Sequence, residues 1–330
     1  MKRRDFFRLL GGATAAWPHD VIAQLAGRMR RIGVLIAFAE NDPQGQAIIA
    51  ALRRSLQELG WTEGRNVRIE YRFAGGNIER MRVYAAELVD LAPDVILVHS
   101  NPFLAALRQT NRVIPTVFAQ VADPVGSGFV ESMARPGGNI TGFSNYESEI
   151  GGKWLDALKE IAPRVTRAAV LLHPETTANV AYLRAAEAAA RSSGVTVTAA
   201  GVYDAAEIER AVTAFAAEPN GGLIVLPHPV TSVNRDLIAA LAARHRLPAV
   251  WPFRFFIATN GGLVSYGIDV TDLFRRATVY VDRILRGTRP GELPVQLPTK
   301  FELIINVSTA KALGLEIPPT LLARADEVIE

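Results

Sequence analysis

Four groups of residues in this chain could do chemistry, and they fall at comparable places. His99, His173 and His228 each stand directly after a run of β-forming residues. Imidazoles arriving from several loops could ligate zinc or act as general acids and bases. The three histidines share no local ligand spacing, so hydrogen bonding at the wall of a cleft is the favoured reading over metal. Asp123 and Asp269 are the acids best placed to take an amine, or else to cap helices. Arg254 is the fixed cation best placed for a carboxylate. Tyr146, Trp251, Phe253 and Tyr266, with Phe103 and Phe118, could line an apolar wall, or for Phe118 simply fill a core. No complete dinucleotide fingerprint, phosphate-cradling loop, GxSxG elbow or HExxH helix is present.

The elements that must position these residues follow a regular rhythm. Apolar runs at 31–39, 67–74, 94–101, 115–122 and 139–144 read as strands, with amphipathic helix patterns between them. The rhythm restarts at 167–173, 195–202, 222–228, 248–253 and 262–267, and ends with a strand at 301–307. Pro102 suits a first helical position, and Asp204 with Glu207 forms a capping-box pair. Strands rich in Val, Ile and Leu, separated by helices, predict α/β architecture: two doubly wound lobes of parallel sheet. In such sheets ligands bind beyond the carboxyl ends of the strands, where helix N-termini offer free N–H groups. Those ends here include His99–Pro102, Gln120–Asp123, His173–Thr176, Pro227–Pro229, Trp251–Arg254 and Tyr266–Asp269.

Composition narrows the function classes. The chain has 330 residues, 49% of them hydrophobic, and no cysteine. That is enough for two cores and leaves out disulfides, thiolate metal sites and cysteine nucleophiles. Residues 1–23 begin MKRRDFFR, continue with a short apolar run, and end at Val21-Ile22-Ala23. This is the layout of a twin-arginine export signal, too short in its apolar part to anchor a membrane. The segment holds Lys2, Arg3, Arg4 and Arg8 against Asp5 and Asp20, so of the net charge of +3 little remains beyond it. No basic block is left that would bind nucleic acid. A soluble protein exported to the periplasm is the expectation.

The residues also carry a resemblance. The segments LGWTEGRNVRIEYRFAGG (59–76), AQVADPVGSGFVESMARPGGNITGFS (119–144), AARHRLPAVWPFRFF (242–256) and GGLVSYGIDVTDLF (261–274), the last running on collinearly to Glu330, resemble the substrate-binding proteins of ABC importers. The likeness is to the branch related to tryptophan- and tyrosine-binding proteins and spans nearly all of the chain after the signal. It implies a fold like the type I periplasmic binding proteins, with lobes joined by hinge crossovers. The expected division is 30–144 with about 263–290 for the N-terminal lobe, and 145–262 with about 295–330 for the C-terminal lobe. It implies a receptor without enzymatic activity or cofactor, monomeric, that delivers a small solute to a permease driven by an ATPase subunit. An exported hydrolase or lyase using His173, His228 and Asp123 is one rival, and a receptor feeding a sensor kinase is another.

By position, the resemblance puts ligand contacts at Ser100–Asn101, the Asp123 turn, Ser144–Tyr146 and Tyr266–Asp269. Ser100 and Asn101 would hold a carboxylate, Asp123 or Asp269 an amine, and Trp251, Phe253 and Tyr266 the apolar wall. His99, His173 and His228 stand where such relatives carry a small residue, Asn and Asp. They point to a more anionic or differently hydrogen-bonded solute than an amino acid.

Overall fold

The computed structural model describes residues 28–258 and 261–330. The export signal read at 1–23 lies outside the described residues. The first lobe is built from β1 (Arg30–Ile36), α1 (Pro43–Glu58), β2 (Val67–Phe73), α2 (Ile78–Asp90), β3 (Val95–His99), α3 (Asn101–Thr110), β4 (Thr116–Val121) and β5 (Ile140–Ser144). Its sheet runs in the order β2-β1-β3-β4-β5, and every pairing is parallel. Val34 lies opposite Tyr71 on one side and Leu97 on the other. The strands β1, β3 and β4 bury nearly every side chain, as strands covered on both faces must.

The second lobe follows with α4 (Ile150–Ile161), β6 (Arg167–Leu172), α5 (Thr177–Ser193), β7 (Thr196–Gly201), α6 (Ala205–Phe215), β8 (Gly221–Val225), α7 (Pro229–Val233), α8 (Arg235–Arg244), β9 (Ala249–Trp251), α9 (Phe255–Ala258) and β10 (Val264–Gly267). Then come α10 (Val270–Leu285), β11 (Glu302–Asn306), α11 (Val307–Ala312), α12 (Pro319–Leu322) and β12 (Glu327–Ile329). The sheet order is β12-β11-β10-β9-β8-β6-β7, parallel except where β10 meets β11. Two doubly wound parallel-sheet lobes are therefore present. No helix among the described residues is long and apolar enough to cross a membrane.

The chain passes between the lobes at three places. It leaves the small sheet after β5, returns after β10 to lay α10 against α1 and β4, and leaves again after Gln296, which bridges to Phe143. The segment from about 263 was expected to cross as one piece with the helix. Instead Val264–Gly267 stays in the large sheet, where Val264 pairs with Val250 and Ile305. An apolar strand with neighbours on both edges is most stable in a sheet centre, and its hydrophobicity alone does not say which sheet. The crossing begins one residue later, at Ile268. Asp269 caps α10, with Oδ1 accepting from the N–H of Thr271 at 2.8 Å and of Asp272 at 3.2 Å.

The crossings are tied by one buried knot. The Tyr146 hydroxyl accepts from Ile268 N–H at 3.3 Å and donates to the Pro252 carbonyl, joining two crossings to the large lobe. Its ring stacks on Phe253 with centroids 5.8 Å apart. Trp154 Nε1 donates to the Tyr266 carbonyl at 2.7 Å. Gly267 sits inside this knot, where a Cβ would lie 1.8 Å from the Pro252 oxygen and 2.5 Å from the Tyr146 hydroxyl. The obstacle is backbone and cannot swing away. Gly267→Ala is expected to lower stability by about 3 kcal/mol, the upper part of the usual overpacking range. Urea denaturation measures this; a midpoint equal to that of the parent chain would show that the knot yields freely.

Candidate functional site

The carboxyl ends of β3 and β4 are held in unusual backbone. Ser100 has φ 80° and ψ 156°, a region that glycine alone occupies without strain. Gln120 (φ 59°) and Asp123 (φ 42°) are also left-handed. Gln120 coincides with a register shift between β4 and β5, so the extra residue re-aims its side chain. Two local constraints hold this shape. Asn101 clasps Ala122 in both directions, donating to its carbonyl at 2.7 Å and accepting from its N–H at 2.8 Å. His99 Nδ1 accepts from the N–H of Ala37 at 3.2 Å, so the neutral ring carries its proton on Nε2. That proton is donated to Gln120 Oε1 at 2.9 Å, which turns the Gln120 NH2 group away from the ring. Burial lowers the His99 pKa to about 4, against a smaller opposing effect of Gln120.

The facing lobe repeats the arrangement. His228 Nδ1 accepts from Val230 N–H at 3.2 Å at the start of α7, which leaves the proton on Nε2. His173 stacks on His228 with centroids 4.2 Å apart and planes 18° from parallel. Burial lowers both pKa values; His173 depresses His228 further, while Glu175 partly offsets the effect at His173. Asn179 holds the turn by accepting from His173 N–H at 3.1 Å and donating to the Pro227 carbonyl at 3.2 Å.

Between these ends lies a narrow cavity with about 20 Å³ of room for water-sized centres, space for little more than one water while the lobes meet as they do here, so a solute is admitted only when they part. Phe38, His99, Ser100, Asn101 and Gln120 line it from the first lobe, and Thr176, Asn179, His228 and Ser232 from the second. It shares Asn101, Thr176 and His228 with a wider outer chamber that carries His173, Tyr203, Arg82, Arg108, Arg112, Glu79 and Glu175. Ser100 Oγ and His228 Nε2 are buried with no hydrogen-bond partner, as is His173 Nδ1. The N-termini of α3 and α5 open here, and neither has a side-chain cap.

The lobes touch across this cleft. Arg235 at the start of α8 meets Asp42 at 2.7 Å, with side chains only 11% and 10% exposed. The same Asp42 caps α1 through Oδ1, accepting from Gln44 N–H at 2.8 Å. Beside it Gly76 (φ 75°) lies against Val233, where a Cβ would approach to 2.8 Å.

The structure thus gathers His99, Ser100, Asn101 and His228 at one cavity, with His173 in the adjoining chamber. The remaining predicted residues lie elsewhere. Asp123, Ser144 and Tyr146 border a separate chamber on the hinge side, and Asp123 Oδ1 is taken by Gly126 N–H at 2.8 Å. Trp251 and Phe253 are core residues of the large lobe, stacked on Phe256 at 4.8 and 6.4 Å. Arg254 faces away, paired with Glu327 at 2.8 Å and Glu302 at 3.5 Å. Tyr266 stacks on Phe301 at 5.7 Å, and Asp269 is spent as a helix cap. Trp251 ends β9, and the turn that follows it folds into the hinge knot rather than the cleft. The site residues that sequence reasoning missed are Phe38, Gln120, Asn179 and Ser232. Gln120 opens a strand-end segment already singled out; the signal missed was that Asp123 three residues later belongs to a turn. No group of three or more His, Cys, Asp or Glu that could hold a metal occurs among the described residues.

Comparison with known proteins fits this geometry. Residues 32–329 match the family model of ABC transporter substrate binding proteins. A tyrosine-binding protein of Clostridioides difficile is 25% identical over 299 residues, 88% of this chain and 82% of that one. A conserved domain protein from Vibrio cholerae has a similar crystal structure, with TM-score 0.84 and 28% identity over 91% of this chain and all of the other. An ABC domain from Streptococcus pneumonia in complex with L-Trp has TM-score 0.83 and 24% identity over 91% of this chain and 99% of its own.

Two outcomes follow from the geometry. Below the ordinary histidine pKa of 6.5 the unfolded chain takes a proton that His99 in the fold refuses until about pH 4. Stability therefore falls as pH drops through that window, by about 2–3 kcal/mol between pH 7 and pH 4.5. Urea melts across this range measure it, and His99→Asn, which keeps an acceptor for Ala37, should flatten the slope; parallel slopes would refute the assignment. Separately, Arg235→Ala removes one partner of a nearly buried ion pair and leaves the α1 cap intact. It should weaken lobe contact by about 2–4 kcal/mol and enlarge the radius of gyration in small-angle scattering, whereas an unchanged curve would show that the pair does not hold the lobes.

Proposed function

The chain belongs to the family of ABC transporter substrate-binding proteins, and from that premise we propose that it is a periplasmic receptor that captures a small organic solute between its lobes and hands it to an ABC permease. The family binds substrates and does not transform them. The observation that carries the reading is the pair of buried, unpartnered polar atoms, Ser100 Oγ and His228 Nε2, facing one cavity from opposite lobes. An unmade hydrogen bond in a buried place costs about 1–3 kcal/mol. Two of them at one cavity are best explained by a solute that completes them. A ligand bridging both lobes favours the closed form and so shifts a pre-existing equilibrium between open and closed. The three crossings, two of them joined through Tyr146, supply the hinge about which the lobes swing. The closed rim is then the surface that a permease would read, and ATP hydrolysis by its partner subunit would drive release.

Two relatives carry aromatic amino acids in their names, tyrosine and L-Trp. Phe38, buried and stacked on His99 at 5.3 Å, offers a comparable planar solute an apolar wall. Export follows from the reading of residues 1–23 and from the receptor role itself, since solutes are captured outside the cytoplasmic membrane.

Native mass spectrometry of the purified protein should reveal a carried small molecule. Resupplied at 100-fold over its Kd, that molecule should stabilise the fold by about 2.7 kcal/mol. No carried molecule and no thermal shift with any organic solute would sink the reading. Ser100→Gly sharpens the test. It relieves a strained backbone and deletes a buried unpaired hydroxyl, so stability should rise by about 1 kcal/mol. Affinity for the carried solute should nevertheless fall about tenfold. A variant that is more stable and binds equally well would remove Ser100 from the site.

A further inference from the structure

Three polar side chains of the cavity, from both lobes, can each offer a hydrogen to a solute. Ser100 is 5% exposed and its hydroxyl is free to donate. His228 is 4% exposed, and because its Nδ1 accepts from Val230 N–H, the unpartnered Nε2 is a donor. Gln120 spends its oxygen on His99, so its NH2 group is what remains for the cavity. The donor roles of Gln120 and His228 are set by backbone N–H groups, which can only donate, and they cannot invert without breaking a bond to Ala37 or Val230. The N-termini of α3, ten residues long, and α5, seventeen, add uncapped N–H groups and the positive ends of two helices.

No Asp or Glu lines this cavity. Asp42 is turned to Arg235 and α1, and Asp123 lies in the hinge-side chamber on Gly126. Glu79 and Glu175 belong to the outer chamber, are exposed, and share it with Arg82, Arg108 and Arg112. An ammonium group brought into the inner cavity would give up its water and meet no carboxylate in exchange, a costly arrangement. A carboxylate there also gives up its water, but it meets donors on each side in exchange. Arg108, on α3, and Arg112, just beyond it, lie along the outer chamber, where they favour the approach of an anion.

We propose that the cavity takes a small organic carboxylate that bears no ammonium group, with its carboxylate on donors drawn from Ser100, His228 and the two helix N-termini and its body against Phe38. The inference rests on the receptor reading and narrows it from amino acids to deaminated acids. Isothermal titration of the purified protein with matched probes tests it: L-tryptophan against indole-3-propionate and its amide, L-tyrosine against 3-(4-hydroxyphenyl)propionate, L-leucine against 4-methylpentanoate. At least one acid should bind tenfold or more tighter than its parent amino acid, and an amide should bind more weakly than its acid. His228→Asn keeps an acceptor for Val230 N–H and moves the donor, so it should weaken the acid about tenfold while melting near the parent chain; His228→Phe gives a second variant should the first unfold. An amino acid that binds as tightly as its deaminated partner overturns the inference and leaves the receptor reading intact, as does an amide that matches its acid. Silence of every acid also overturns it, and only silence together with an empty native mass spectrum brings down the receptor reading.

Discussion

Two parallel sheets end at a single gap, and every backbone donor exposed there has to find an acceptor. Parallel strands send all their carboxyl ends, and hence the N-termini of the following helices, to one edge. With two such edges face to face, the gap collects more N–H groups than acceptors. Most are answered by the chain itself. Asp42 serves α1, Asn77 serves α2, and His228 serves α7. The helices that open at Ser100 and Thr176 receive no side chain, and these two bound the enclosed cavity. The cavity is thus the place where the fold leaves its own donors unanswered.

This shortage also explains the backbone strain. Ser100, Gln120 and Asp123 adopt conformations that cost of order 1–3 kcal/mol each. They persist because rigid partners over-determine them: the Asn101 clasp on Ala122, and the relay from Ala37 through His99 to Gln120. His99 is well suited to the relay because burial keeps it neutral, and a neutral imidazole can accept at one nitrogen and donate at the other. A protonated ring would set a second N–H against the Ala37 N–H and lose that bond, although Nε2 would still donate to Gln120. The same residue that sets the orientation of a ligand-facing amide therefore limits the acid range in which the lobe stays ordered.

Much of this was legible in the residues. Near-continuous apolar runs such as 94–101 and 167–173 marked buried parallel strands, and Asp204 with Glu207 marked a helix start that the structure realises with Glu207 N–H donating to Asp204 at 2.8 Å. The strand-end rule located His99, Ser100, Asn101 and His228 correctly as neighbours of one cavity. It could not separate cleft-facing ends from ends folded into the hinge. Trp251, Phe253, Tyr266 and Asp269 obey the rule in sequence, but β9 and β10 end where the crossings need to be packed, so their side chains fill the knot or cap α10. Asp123 illustrates the same limit locally, because an Asx turn three residues long consumes the carboxylate before any ligand can. Gln120 was hidden for the opposite reason: a bulge within a strand rotates it toward the cavity, and alternation along the strand gives no sign of a bulge.

Charge is separated from recognition in this cleft, and that separation has a use. A receptor must close on its solute and then let it go. Fixed charges inside the cavity would have to be desolvated at each closure and would hold an anion strongly. Neutral histidines, a hydroxyl and helix N-termini avoid the first cost and moderate the second. The formal charges that do bridge the lobes, Arg235 and Asp42, stand outside the enclosed cavity's wall, next to the Gly76 contact. On the proposed reading, closure draws on the Arg235–Asp42 ion pair and selectivity on the donors that face the cavity. Because the two contributions sit on different residues, the affinity for a solute can change at Ser100 or His228 without altering how the lobes meet, and the resting balance between open and closed can change at Arg235 without altering what is recognised.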